Sequence, residues 1–313
     1  MLTLVLRRIA NMLLLMLALS LVLFLALDLN PDSVARKVLG PYSNEEQRAI
    51  WLEENGYYDP IPIRYSRWIS KAVVGDFGRS VVFQDEAITV VGRRLERTAY
   101  LAALVMGIVA PLGILFGVLA GMREGGLRDR SISIGSIVTT SIPEFASAPL
   151  LLVVFVFWLG WLPGVSSMAS GWSWREIILP VLVLVLYDVG YIVRITRASM
   201  IDVMQSHYIR TAVLKGLPRR TVIIRHALRN ALLTPFTVIM LQFNWLLSGV
   251  IVVEYFFAYR GFGALLLEGA LNQDIYIIQA CAMVAVFVAV ATQTIGDLGY
   301  ILLNPRIRFS GNN

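Results

Sequence analysis

Six stretches of this chain, 9–27, 98–120, 132–159, 177–195, 232–253 and 275–303, are apolar enough to cross a bilayer as helices. Each comes close to or exceeds the ~20 helical residues that a hydrocarbon core demands. Soluble folds do not bury so much apolar surface. Only 15% of the 313 residues are charged, 57% are apolar and the mean hydropathy is +0.70, whereas ordinary globular domains carry about 25% charged residues. The predicted fold class is an all-α integral membrane protein with six transmembrane helices. An even number of spans puts both termini on one side, with membrane lipid around them.

Basic residues indicate which side. Arg7 and Arg8 precede the first run, and Arg123, Arg128 and Arg130 fill the second junction. Seven basic residues from Arg197 to Arg229 fill the fourth, and Arg306 and Arg308 follow the sixth. By the positive-inside rule these segments, and both termini, are cytoplasmic. The first run is longer than the roughly 7 to 15 residues of a signal-peptide core and no A-x-A-like site follows, so it reads as a retained span. The net charge of +6 reflects these junctions. Its cations lie between apolar runs rather than on one aromatic-dotted face, which argues against nucleic acid as a partner.

The chain divides into an N-terminal transmembrane helix (1–28), an extracytoplasmic loop domain (29–97) and a five-helix core (98–313) with a cytoplasmic loop at 197–230. In the outer domain, Ser43 and Glu46 have capping-box spacing and Gly56 supplies a stop, predicting a helix over 44–55. Pro60 and Pro62 predict an extended stretch. Trp51, Tyr57, Tyr58, Tyr65 and Trp68 suit a layer near the membrane interface, either a packed cap or a docking surface for an external partner.

The cytoplasmic loop has the pattern of two short helices. Ser199 with Asp202 fits a capping box, Ser206 fits a second helix start, 207–215 avoid Gly and Pro, and Gly216 with Pro218 supply a stop. Ala212 and Gly216, four apart, put two small residues on one face, where another backbone could approach.

Here a resemblance becomes specific. Tyr208-Ile-Arg-Thr-Ala-Val-Leu-Lys-Gly216, followed by Arg225-His-Ala-Leu-Arg-Asn230, is similar to the EAA-type loop of ABC importer permeases. Gly56-Tyr-Tyr-Asp-Pro-Ile-Pro62, Gly75-Asp-Phe-Gly-Arg-Ser80, Ser141-Ile-Pro143, Arg194-Ile-Thr-Arg-Ala-Ser199, Val253-Glu254, Gly261-Phe-Gly263 and Asn304-Pro-Arg-Ile-Arg308 agree along nearly the whole chain. The chain thus resembles the dipeptide, oligopeptide and nickel family of binding-protein-dependent ABC transporters.

That resemblance implies a permease subunit of a bacterial inner membrane that works by alternating access. Its implied partners are two ATPase subunits, an extracytoplasmic substrate-binding protein and a second, non-identical permease. The coupling helix would dock in a cleft of the ATPase, with Tyr208, Arg210, Thr211, Ala212, Lys215 and Gly216 as its residues. No cofactor belongs to this chain, ATP and Mg being bound by the partner subunits. Peptides are the first-choice cargo, and nickel chelates, glutathione, oligosaccharides and opines are alternatives. Arg210 and Arg229 replace the usual acidic residue and proline of the loop, and Glu144, Asp188 and Arg260 also depart from the family pattern.

Ionisable groups inside a span are costly and face a cavity or a partner. Asp188, between Tyr187 and Tyr191, lines a cavity or pairs with a neighbouring helix. Glu144, after Pro143, faces the translocation pathway or satisfies backbone freed by the proline. Glu254 gates the pathway, or serves structure, at the head of the aromatic, glycine-rich segment 255–263. Asp297 with Gln293 and Gln279 reads as helix packing, as does the row Gly107, Gly113, Gly117 and Gly121.

Other chemistries find little support. No Gly-Lys pair occurs, so a G-x-x-x-x-G-K-[ST] phosphate cradle is absent. Gly171-Trp-Ser-Trp-Arg175 lacks the second glycine of a G-x-S-x-G elbow. His207 and His226 are the only histidines and Cys281 the only cysteine, too few for the usual zinc sites or for a disulfide. The chain is therefore read as a non-enzyme. A stand-alone secondary carrier or channel is the alternative, set against by the long cytoplasmic loop and by the lack of an inverted repeat.

Overall fold

The computed structural model describes residues 2–28, 31–40, 42–169, 171–248 and 250–303. The helices in chain order begin with α1 (Leu2–Asp28), α2 (Pro31–Leu39), α3 (Glu45–Glu54), α4 (Ile61–Val73) and α5 (Ala87–Gly121). They continue with α6 (Leu127–Ser141), α7 (Glu144–Leu152), α8 (Trp174–Met204), α9 (His207–Leu214), α10 (Arg219–Thr221) and α11 (Leu228–Ala231). The last four are α12 (Leu233–Leu247), α13 (Ile251–Phe256), α14 (Phe262–Leu271) and α15 (Ile275–Leu303). Wider π-helical stretches extend α7 over Val153–Trp158 and link α10 to α11 over Val222–Ala227. Among the described residues the regular structure is helical, with one isolated antiparallel bridge, Arg79–Glu86.

Four helices are long and apolar enough to cross a membrane: Ile9–Leu27 within α1, α5, α8, and Ile275–Tyr300 within α15. Two bent pairs raise the count to six if each is one span. The stretch 132–159, expected as one span, is broken by a 93° bend between α6 and α7. Ile142 is forced extended (φ −92°, ψ 116°) because Pro143 follows it. The Ser141 hydroxyl donates back to the Ile137 carbonyl at 2.7 Å, helping to close the helix just before the break. The second pair, Arg219–Ala231 and α12, bends by 46°.

Three other local expectations are corrected. The cap of α3 is one residue later than predicted: Asn44 accepts from the Gln47 amide at 2.7 Å and Gln47 answers at 3.1 Å, while Ser43 bonds Gly40. Pro60 and Pro62 start a helix instead of an extended stretch, since proline is tolerated in a first turn whose amides have no helical acceptor. Ser199 caps nothing. Helix α8 runs through it to Met204, and its hydroxyl donates to the Ala231 carbonyl at 2.7 Å.

The chain forms two compact units, one from the described residues within 1–98, 248–251 and 260–291, the other from those within 99–247, 252–259 and 292–313. In the first, Phe77, Val91, Phe262, Leu265, Ile277 and Cys281 form a buried core. Asp274 ties its loops down by accepting from the Ser80 hydroxyl at 2.5 Å and the Val82 amide at 3.1 Å. Phe24 meets the Tyr65 ring edge-on at 5.4 Å, and Trp68 donates to Gln279 at 3.0 Å.

In the second unit, α8 is the central strut. A methyl built on Gly113 would lie 2.5 Å from Ile192, and those on Gly117 and Gly121 would strike Thr196 and Met200. The small-residue row thus lets α5 and α8 approach closely. Gly107 stands apart, with no atom within 4 Å of such a methyl.

Candidate functional site

Helix α9 begins at Ser206, whose extended backbone (φ −69°, ψ 149°) starts the turn while its hydroxyl donates back to Val203 at 2.6 Å. It ends at Gly216, whose φ of +75° is a left-handed conformation that other residues adopt only under strain. Thr211 donates to the His207 carbonyl at 3.0 Å, and the Lys215 amide closes the last turn on Thr211.

The amphipathic division of α9 decides what it can do. Ile209 and Ala212 are buried with Met200, Val222, Ala227 and Ala231, so this face is occupied by the chain itself. Ala212 is therefore covered by the chain's own residues, whereas a methyl built on Gly216 would meet open space, so the two small residues expected on one approachable face differ in surroundings. Tyr208, Arg210, Thr211, Lys215 and Gly216 are exposed. Beside them stand three apolar side chains, Val213, Leu214 and Leu217, at 57%, 79% and 37% exposure.

The segment is anchored at several points. Asn230 donates to the Tyr208 hydroxyl at 2.8 Å, and Arg219 to the Met122 carbonyl at 3.2 Å. Toward the C-terminal end of α8, Arg197 pairs with Asp129, which also accepts from the Gly125 amide at 2.8 Å and from Ser133 at 3.1 Å. Asp129 lies among Arg128 and Arg130, ahead of the apolar run that opens at residue 132. The Arg197 guanidinium holds its carboxyl well below the usual carboxylate range, against the opposing effect of burial.

A second polar cluster lies nine residues before Arg197 on α8. Asp188 is fully buried, and its Oδ1 accepts from Gln242 of α12 at 2.5 Å. Its Oδ2 is buried without a hydrogen-bond partner. This contact joins α8 to α12. Glu144, the first residue of α7, is half-buried and within electrostatic reach of Asp188. Glu254 is fully buried inside α13 rather than heading an open loop, and Phe257 and Tyr259 after it are buried as well. The side chain of Asp297, the side chains of Arg7 and Arg8, and the motif at 304–308 lie outside the described residues.

Two participants escaped the sequence reading. Gln242 is one of two amides, with Asn244, in the apolar run 233–247, and those amides were the available signal for a partner of Asp188. Asp129 was hidden between two arginines that read as topology alone.

Residues 113–309 match the family model described as a binding-protein-dependent transport system inner membrane component. A probable peptide ABC transporter permease protein of Sinorhizobium fredii is 34% identical over 309 residues, covering 97% of this chain and 99% of the relative. A glutathione transport system permease protein of Salmonella paratyphi A is 32% identical, over 99% of this chain and 100% of the relative. An oligopeptide transport system permease protein of Bacillus subtilis is 30% identical, over 94% and 95%.

Proposed function

The chain belongs to the family of inner-membrane components of binding-protein-dependent transport systems, and on that premise we propose that it lines half of the pathway of an ATP-driven peptide importer. Both termini and the segment 197–230 face the cytoplasm, six spans cross the membrane, and 29–97 forms the extracytoplasmic domain that meets a binding protein. A second, non-identical permease completes the pathway. Two ATPase subunits bind ATP and Mg and hydrolyse the nucleotide.

One observation carries this reading. Helix α9 is fastened to the chain through Ile209 and Ala212, while Val213 and Leu214 on it and Leu217 just after it are exposed beside Tyr208, Arg210, Thr211 and Lys215. Exposed apolar side chains rimmed by cations suit a partner's cleft. The Ser199 and Tyr208 hydrogen bonds link that surface to α8 and α11, so a displacement of α9 reaches α8, which carries Asp188 and packs against α7 with its Glu144. Alternating access then requires only that the ATPases and the binding protein favour different states, because equal affinity shifts nothing.

The relatives named above carry peptides, oligopeptides or glutathione, itself a small peptide, which supports a peptide cargo. Purification of the tagged chain in mild detergent, followed by identification of the proteins that accompany it, tests the assembly. Recovery of a second permease and ATPases is expected. A lone chain that transports in liposomes without ATP would overturn the reading in favour of a secondary carrier.

A further inference from the structure

Two cavities adjoin in the first unit, and α4 divides them. One, of about 470 Å3, carries four cations, Arg64, Arg67, Lys71 and Arg79, against one acid, Asp76. The other, of about 750 Å3, is apolar, with Leu14 and Leu17 of α1, Ile69 and Val73 of α4 and Phe287 of α15 among its walls. Phe77 borders both. Arg64, Trp68 and Lys71 recur at helical spacing on the cationic side of α4, and Ile69, Ala72 and Val73 on the apolar side.

The two cavities are offset in depth. On α1, Phe24 lines the cationic cavity and Leu17 the apolar one, seven residues or about 10 Å further into the span at 1.5 Å per residue. On α15, Gln279 and Phe287 repeat that order. The groove is open outward: Leu14 is 70% exposed, Val73 79% and Phe287 50%. Arg67 is engaged by Asp59 at 2.5 Å and Arg64 lies over the Tyr57 ring at 4.8 Å. Among the described residues Lys71 has no ion-pair partner.

We propose that this pair of cavities holds a phospholipid with an anionic headgroup, one acyl chain in the groove and its phosphate at Lys71. The occupant is amphipathic because the site is. An apolar groove at membrane depth takes a hydrocarbon chain, and the cation excess above it selects negative charge. Lys71, in the last turn of α4, can lay its apolar stem over the groove rim and lift its ammonium toward the phosphate. The inference does not depend on the importer reading, only on α1 and α15 lying in the membrane.

Native mass spectrometry of the purified full chain, titrated with phosphatidylglycerol or phosphatidylcholine in detergent, tests it. Phosphatidylglycerol is expected to be retained at one copy per chain and preferred over phosphatidylcholine. Lys71→Ala, an exposed position, should weaken phosphatidylglycerol retention roughly fivefold, the effect of one cation near an anionic surface. Val73→Trp should obstruct the groove and weaken both lipids. Equal retention of the two lipids, insensitive to Lys71, would overturn the proposal. So would binding of glycerol phosphate as tight as that of the whole lipid, which would mark a free-anion site. A photo-crosslinker at position 73 that captures another protein chain instead of lipid would overturn it too.

Discussion

Arg197 grips both carboxylate oxygens of Asp129, its Nε meeting Oδ1 and its Nη2 meeting Oδ2 at 2.8 Å, and the carboxylate side chain is only 3% exposed. A two-pronged guanidinium–carboxylate contact fixes orientation as well as distance. The pair therefore locks the start of α6 to the C-terminal part of α8.

Removing one partner should be costly. Arg197→Ala leaves a buried carboxylate uncompensated and is expected to lower stability by roughly 3 kcal/mol, near the low end for broken buried pairs because Arg197 keeps 29% exposure. The Asp129 carboxyl is held below its usual range, so the pair's contribution is complete above the unfolded carboxylate pKa of about 4 and is lost only as pH falls through the depressed value. Thermal unfolding in detergent should show a constant gap between wild type and Asp129→Asn across neutral pH, and a gap that narrows only in acid.

The glycine row of α5 makes a contrast within one helix. Gly113→Ala drives a methyl into Ile192 and should destabilise the protein by about 1–3 kcal/mol, as overpacking does. Gly107→Ala meets open space and should be neutral, or stabilising by up to about 1 kcal/mol through helix propensity. Equal unfolding temperatures for the two variants would refute the close α5–α8 contact.

At Asp188 the carboxylate and its shape can be separated. Asp188→Leu strands the Gln242 amide and should cost about 1–3 kcal/mol. Asp188→Asn keeps an acceptor for Gln242 and should preserve complex yield while reducing peptide uptake, since the charge is what the pathway role requires. Wild-type uptake by the Asn variant would remove Asp188 from the pathway and leave it as interhelical structure.

Gly216 ends α9 in a conformation with φ of +75°, and only open space surrounds it. Gly216→Val should therefore cost about 1–2 kcal/mol in backbone strain without any clash, loosening the end of α9. Limited proteolysis should cleave the variant after residue 214 faster than wild type, with ATP-driven uptake falling in parallel.

Much of this architecture was legible because bilayer thickness sets helix length. The runs at 9–27 and 177–195 fall inside α1 and α8, and the small-residue row of α5 was visible as a spacing. Local signals were ambiguous where two residues compete for one role. Asn44 and Ser43 both fit an N-cap, and backbone geometry selects Asn44. Pro60 fits both an extended stretch and a helix start. Ser199 looks like a cap, but the apolar face of α8 continues to Met204 and overrides it. The 93° break was foreshadowed by Pro143, yet its size depends on Ile142 turning extended, which no periodicity reports. Asp188 with Gln242 joins residues 54 apart, a separation at which the sequence pattern carries no pairing information.

The central claim, that α9 hands ATPase motion to this chain, has a direct test. Cys281, the only cysteine, is buried, so Leu214→Cys offers a single reactive thiol on the most exposed apolar residue of α9. A thiol-linked photo-crosslinker there, activated in native membranes with and without ATP, should join the chain to an ATPase subunit in a yield that changes with nucleotide. Crosslinks to lipid alone, the same in both conditions, would contradict the account.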